Sequence, residues 1–139
     1  MNKFNSLKEE LKKILLKSPL KFDSVHSKLT LKWLLKLKPN ADEYLQIAAI
    51  AHDIERAVTG ITEKDLKDYS KIAEFKQQHA IRSANITADL LKKYGYEARR
   101  TVLLILIIIY FFILKGMARN GLRAKLNLCI KDFQRMLKF

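Results

Sequence analysis

The sequence predicts an all-α fold, a bundle of about five to six helices. Two observations lead there. Only 4 Gly and 2 Pro interrupt 139 residues, and the stretches between them are rich in Leu, Ile, Lys and Ala, residues that leave helices undisturbed. Within those stretches apolar residues recur three and four apart, the period of a helix with one buried face. A chain of this length fits one domain, 1–139, and can bury about two-thirds of its unfolded surface.

Each element has its own signals. Ser6-Leu7-Lys8-Glu9 has the form of a capping box, and Phe4, Leu7, Leu11, Ile14 and Leu15 follow at helical spacing. Pro19 closes this leading helix, residues 1–20. A second helix is expected from near Asp23-Ser24 to Lys38, with Val25, Leu29, Trp33, Leu34 and Leu37 on its buried face, His26 in its first turn and Pro39 as its stop. Asn40-Ala41-Asp42-Glu43 begins a third, with acids at the positive end of the helix dipole. Leu45 to Ala51 is apolar almost all round, which means burial on most sides. His52 and Asp53 then fall in the C-terminal half of this helix, and Gly60 ends it. Thr62-Glu63-Lys64-Asp65 opens a further helical region, with a break near Asp68-Tyr69. Its later part, from about Ser70 to Tyr94, carries Ile72, Phe75, His79, Ile86, Leu90 and Leu91, and Gly95 caps it.

Charge and cysteine usage narrow the function classes. The formal net charge is +13. Solvated Lys-rich helix faces account for it, and so does a surface for nucleic acid or membrane. The lysines are scattered, and no finger, RNP or helix-turn-helix signature accompanies them. A basic surface also attracts small phosphorylated molecules. The single cysteine, Cys129, excludes an internal disulfide and a four-Cys zinc site. The N-terminal MNKFNSLKEELKKILLK mixes charge into every turn and lacks the apolar core of a signal peptide, so a cytoplasmic protein is expected.

The chain has three histidines, His26, His52 and His79, spaced by 26 and 27 residues. Each falls in a different predicted segment, and His52 is followed by Asp53. Imidazole nitrogen and carboxylate oxygen suit a divalent ion such as zinc, manganese or iron. Packed helices can bring such groups together in a bundle core. A helix that is apolar on most sides carries a His-Asp pair only if the pair has partners, because burying an unpaired carboxylate is costly. Arg56 stands near one turn beyond Asp53, where it can reach the same pocket and grip a phosphate bidentately, or simply form a surface ion pair with Glu55 or another acid. Glu55 is a candidate to orient a water or support a ligand. Arg82, three after His79, is a further phosphate candidate.

The pattern resembles the HD-domain superfamily of metal-dependent phosphohydrolases. His26 opens HSKLTLKWLLKLKP, AAIAHDIERA resembles the family's HD helix, and KQQHAIRSANITADLL resembles its later His-bearing helix. The resemblance covers about residues 22–100, and it implies an HD-type helical bundle with a metal-site core there. By this resemblance His26, His52 and Asp53 are metal ligands, and His79 is a ligand to a second metal or a phosphate-contacting residue. The family's metal activates a water and holds a phosphate oxygen. Asp53, Arg56 and His79 are then the candidate catalytic residues. The implied cofactor is a divalent ion, Mn, Zn, Fe, Mg or Ni.

The resemblance stops where the family completes its site with an Asp on a later helix. Beyond Asp89 the chain has only Asp132, in CIKDFQRM, which does not resemble that motif. The texture also changes near residue 101. Residues 102–114 read VLLILIIIYFFIL, and 101–139 contain seven Lys or Arg, one Asp and no Glu. Three explanations fit this atypical tail: a frameshift near codon 100, a membrane contact, or a helix buried in the core or against a second copy in a homodimer. Thirteen apolar residues make about 20 Å of helix against a hydrocarbon thickness of about 30 Å, too short to span comfortably. The expected function is hydrolysis of a phosphate on a nucleotide or another small phosphorylated metabolite. The alternative is a non-catalytic basic helical module that binds nucleic acid or a membrane surface. Genomic DNA read across codon 100 tests the frameshift, which predicts a shifted frame encoding an acidic helix with His and Asp.

Overall fold

Helix α1, Lys3–Leu15, starts one turn before the Ser6 capping box. Asn2 is the cap, its side chain accepting the Asn5 N–H at 2.9 Å, so Ser6 already lies inside the helix. The computed structural model describes residues 2–101, 103 and 105, and every regular element among them is helical. After α1 come α2 (Asp23–Leu37), α3 (Glu43–Ala51), α4 (Ile54–Thr59), two short 3₁₀ turns (Glu63–Asp65 and Tyr69–Lys71) and α5 (Ile72–Lys93). Residues 98–101, 103 and 105 are helical as well. Most of the 102–114 run, Cys129 and Asp132 lie outside the described residues. Among the described residues no helix is long and apolar enough to cross a membrane.

The expected helix from Asp42 to Gly60 is two helices. Asp42 does cap it, accepting the Leu45 N–H, and Gly60 does end it in the left-handed region at φ 73°, where the missing Cβ removes the steric penalty. Between them the chain leaves helical geometry at His52-Asp53, where Asp53 has φ −110° and ψ 17°. On an unbroken helix, neighbouring side chains point about 100° apart. The break re-aims Asp53 so that it and His52 face the same space.

The core lies where α1 meets α3 and α4. Leu7, Leu11 and Leu15 pack with Ile47, Ala48, Ala51 and Ile54, and with Ala80, Ala84 and Leu91 of α5. The small alanines let the helix backbones approach closely, and the leucines fill the space between them. At one end Lys93 and Tyr94 both bond Glu10 of α1, and the Tyr96 hydroxyl donates to Glu43 of α3 at 2.6 Å.

Helix α2 turns the opposite way from its apolar pattern. Val25, Leu29, Trp33 and Leu37 are exposed, Leu37 at 84 %, and of the expected face only Leu34 is half-buried. The side facing α3 is polar: Asp23 and Ser27 are buried, and Ser27 Oγ donates to the Ile50 carbonyl at 2.8 Å. Packing by apolar stripe would point His26 away from α3. The buried hydroxyl bond and the polar cluster described below hold it inward.

Urea unfolding of Leu11→Ala and Leu37→Ala separates the two faces. Loss of the fully buried Leu11 side chain is expected to cost about 2–5 kcal/mol, and loss of exposed Leu37 within about 0.5 kcal/mol.

Candidate metal centre

Four elements converge on one polar cluster. Helix α2 brings Asp23 and His26, the α3–α4 break brings His52 and Asp53, α4 brings Glu55 and Arg56, and α5 brings His79 and Arg82. The α2–α3 tie through Ser27 lies one residue from His26. Glu55 N–H donates to the Ser83 hydroxyl at 3.3 Å, which fixes the start of α4 against α5 and satisfies one of its open donors.

His26, His52 and Asp53 stand together, as expected from the sequence. His26 Nε2 is 3.1 Å from His52 Nε2, and Asp53 Oδ2 is 3.7 Å from the first and 3.5 Å from the second. The three ligand atoms lie within 4.8 Å of one another, an arrangement that can hold a metal ion. Donors about 2.1 Å from a first-row metal or zinc, at tetrahedral or octahedral angles, stand roughly 3.0–3.4 Å apart. The observed triangle needs only small closure to match. Two imidazoles and one carboxylate suit borderline divalent ions and leave positions open for water and substrate. Among the described residues the cluster has these three members.

His52 is oriented by the backbone of the helix that precedes it. It is almost wholly buried, and its Nδ1–H donates to the Ala49 carbonyl at 2.9 Å. That bond fixes the tautomer, so Nε2 carries the lone pair that faces His26 and Asp53. The short contact between the two rings is then donated by His26. Burial holds the His52 imidazole below the usual histidine range, against the opposing pull of Asp53, which keeps it neutral.

Asp53 is surrounded by cations and donors. Its Oδ1 accepts from His79 Nε2 at 2.9 Å, and its Oδ2 meets Arg56 Nη1 at 3.0 Å. Burial alone raises a carboxyl pKa, but His79, His52 and Arg56 together outweigh it and hold Asp53 well below the usual carboxylate range. Arg56 therefore reaches the pocket, as its spacing predicts. Its second partner is Asp23 Oδ1 at 3.5 Å, not Glu55. Asp23 is fully buried, with Ser18 Oγ donating to its other oxygen at 2.5 Å. Sequence reading took Asp23 only as a helix start. The available signal was its place one turn before His26, on the same side of α2.

His79 lies outside the trio. Its Nε2 faces Asp53, and its Nδ1 lies 2.6 Å from Glu55 Oε2. Burial opposes its protonation, but the bonds to Asp53 and Glu55 prevail and raise its pKa above the ordinary histidine value. An imidazolium that donates from both nitrogens has no lone pair for a metal. In this structure both His79 nitrogens are taken up by Asp53 and Glu55, and His79 is not among the three clustered donor atoms. Glu55 is fully buried and takes a second bond from Arg82 Nε at 2.8 Å. Burial raises its pKa, but His79 and Arg82 hold it below the ordinary value. Arg82 is thus tied inward to a carboxylate.

The sign of the His79 shift gives a pH test. A raised folded-state pKa contributes stability that is complete below the ordinary histidine value of about 6.5 and is lost as pH rises through the higher folded value. In the presence of chelator, thermal melts from pH 6 to 9 are expected to show the wild type losing stability relative to His79→Gln as pH rises. Parallel curves would contradict the doubly bonded imidazolium.

Comparison of the chain with protein-family models, curated proteins and solved structures gives no match. The site is therefore described by its own geometry: two imidazoles and a carboxylate, one ring oriented by a backbone carbonyl, with Arg56 beside the carboxylate.

Proposed function

We propose that the protein is a metal-dependent phosphohydrolase acting on a nucleotide or another small phosphorylated metabolite. His52 carries the reading: its Nδ1–H is committed to the Ala49 carbonyl, which leaves Nε2 to complete a three-donor triangle with His26 and Asp53. The resemblance of residues 22–100 to HD-type enzymes agrees with that donor set.

His26, His52 and Asp53 would hold the ion. A divalent metal bound there lowers the pKa of a water and acts as a Lewis acid toward a phosphate oxygen. The chain's own residues supply the rest. The Ala49 carbonyl keeps His52 in the ligating tautomer. Arg56, shared between Asp53 and Asp23, offers a guanidinium that neutralises phosphate charge as a substrate arrives. Asp23 is a second anchor that keeps the guanidinium at the pocket. Half-buried His26 is the more solvent-accessible of the two histidine ligands, so substrate approaches from its side.

One observation favours the competing class, a basic module binding nucleic acid or a membrane surface. The exposed face of α2 carries Leu29, Trp33 and Leu37, and the same helix has a shallow groove lined by Lys28, Leu31, Lys32, Leu35 and Lys36. Binding through that face would fall steeply with salt and ignore chelator.

Metal content by plasma mass spectrometry discriminates the two. The enzyme reading expects about one divalent ion per chain, lost in His52→Ala/Asp53→Ala, and phosphatase activity toward nucleotides that falls at least about a hundredfold in His52→Ala. Metal-free protein that stays metal-free after incubation with manganese, zinc or iron would overturn it.

A further inference from the structure

Beyond the three ligands, a chain of hydrogen-bonded polar side chains runs inward from the surface to one oxygen of Asp53. Arg82 Nε bonds Glu55 Oε1 at 2.8 Å, Glu55 Oε2 meets His79 Nδ1 at 2.6 Å, and His79 Nε2 meets Asp53 Oδ1 at 2.9 Å. We propose that Glu55 and His79 are positioning residues that set the strength and geometry of metal binding through Asp53, with Arg82 as their outer end. This rests on the metal-centre reading above.

The geometry argues for positioning over ordinary charge burial. A free carboxylate rotates about its side-chain bonds and offers either oxygen. Here Oδ1 is engaged by His79, and Oδ2 is the oxygen that faces His26 and His52. His79 on α5 thus holds Oδ1 away from the two histidines, while Oδ2, which Arg56 also meets at 3.0 Å, stays turned toward them. His79 can do this only if its own ring is fixed, and Glu55 fixes it from the opposite nitrogen. Glu55 is held in turn by Arg82, by the Thr59 hydroxyl at 3.0 Å, and at its backbone N–H by Ser83. A buried Glu–Arg pair would be satisfied without His79, and a histidine needed only for packing would not bridge two carboxylates. Outer partners of this kind orient ligands and tune their basicity, and losing one typically lowers metal affinity about 10- to 100-fold.

The half-exposed outer end gives the chain a second consequence. Arg82 retains a side-chain exposure of 36 %, so a change at the protein surface is transmitted through two buried side chains to Oδ1 of Asp53, the carboxylate whose other oxygen faces the two histidines. Arg82→Ala removes no contact to the trio itself, and any effect on metal binding must pass through Glu55 and His79.

Cobalt(II) titration of the full chain, followed by its visible absorption bands and by competition with a chelator, reads affinity and coordination apart from turnover. Wild type is expected to saturate near one equivalent. Glu55→Gln and His79→Ala should weaken binding about 10- to 100-fold, and Arg82→Ala by a smaller factor. His79→Gln, which keeps a donor toward Asp53, should recover part of the loss. Altered cobalt bands in Glu55→Gln would support the proposal, because a purely structural role moves only the melting temperature of the chelated protein. If His79→Ala fails to fold, Glu55→Gln and Arg82→Ala decide. Wild-type affinity and wild-type bands in both would overturn the positioning role and leave the metal reading intact. A wild type that takes up no cobalt would overturn both.

Discussion

A carboxylate removed from water costs several kcal/mol unless donors and cations replace the water, and Asp53 occupies such a place in this fold. Much of the polar architecture answers it. Arg56 meets one oxygen and His79 the other, while His26 and His52 stand within 3.7 Å. Each of these has its own counter-partner: Asp23 for Arg56, Glu55 for His79, the Ala49 carbonyl for His52. Charges alternate outward from Asp53 along two arms, one ending at Ser18 and the other at Arg82. Alternation of this kind offsets desolvation at each step, because every buried charge has an opposite one in contact.

The same requirement explains the two places where helical pattern is overruled. A continuous helix from Asp42 to Gly60 would spread His52 and Asp53 around its axis, and the break at Asp53 brings them to one side. On α2 the apolar stripe and the polar side that carries Asp23, His26 and Ser27 cannot both face α3. The polar side faces inward because Ser27 bonds the Ile50 carbonyl, Asp23 takes Ser18 and Arg56, and His26 meets His52. Exposed leucines and a tryptophan are the cost of that choice.

Legibility in the sequence follows from these facts. The helices were readable because their signals are local: Asp42, Gly60, Gly95 and the spacing of Leu7, Leu11 and Leu15 act within a turn or two. The trio His26, His52 and Asp53 was readable because a His-Asp pair inside an apolar run demands partners, and the resemblance to HD-type sequences pointed to His26 as one of them. Partner choice was not readable. Nothing local tells whether Glu55 serves Arg56 beside it or His79 and Arg82 on another helix. The answer depends on which way α4 leaves the break. The orientation of α2 was hidden for a related reason: periodicity counts apolar area, and the deciding interactions are a few buried polar bonds.

The trio and its supporting partners, from Ser18 to Ser83, belong to the first two-thirds of the chain. The site is thus encoded compactly, by side chains that become available together early in synthesis.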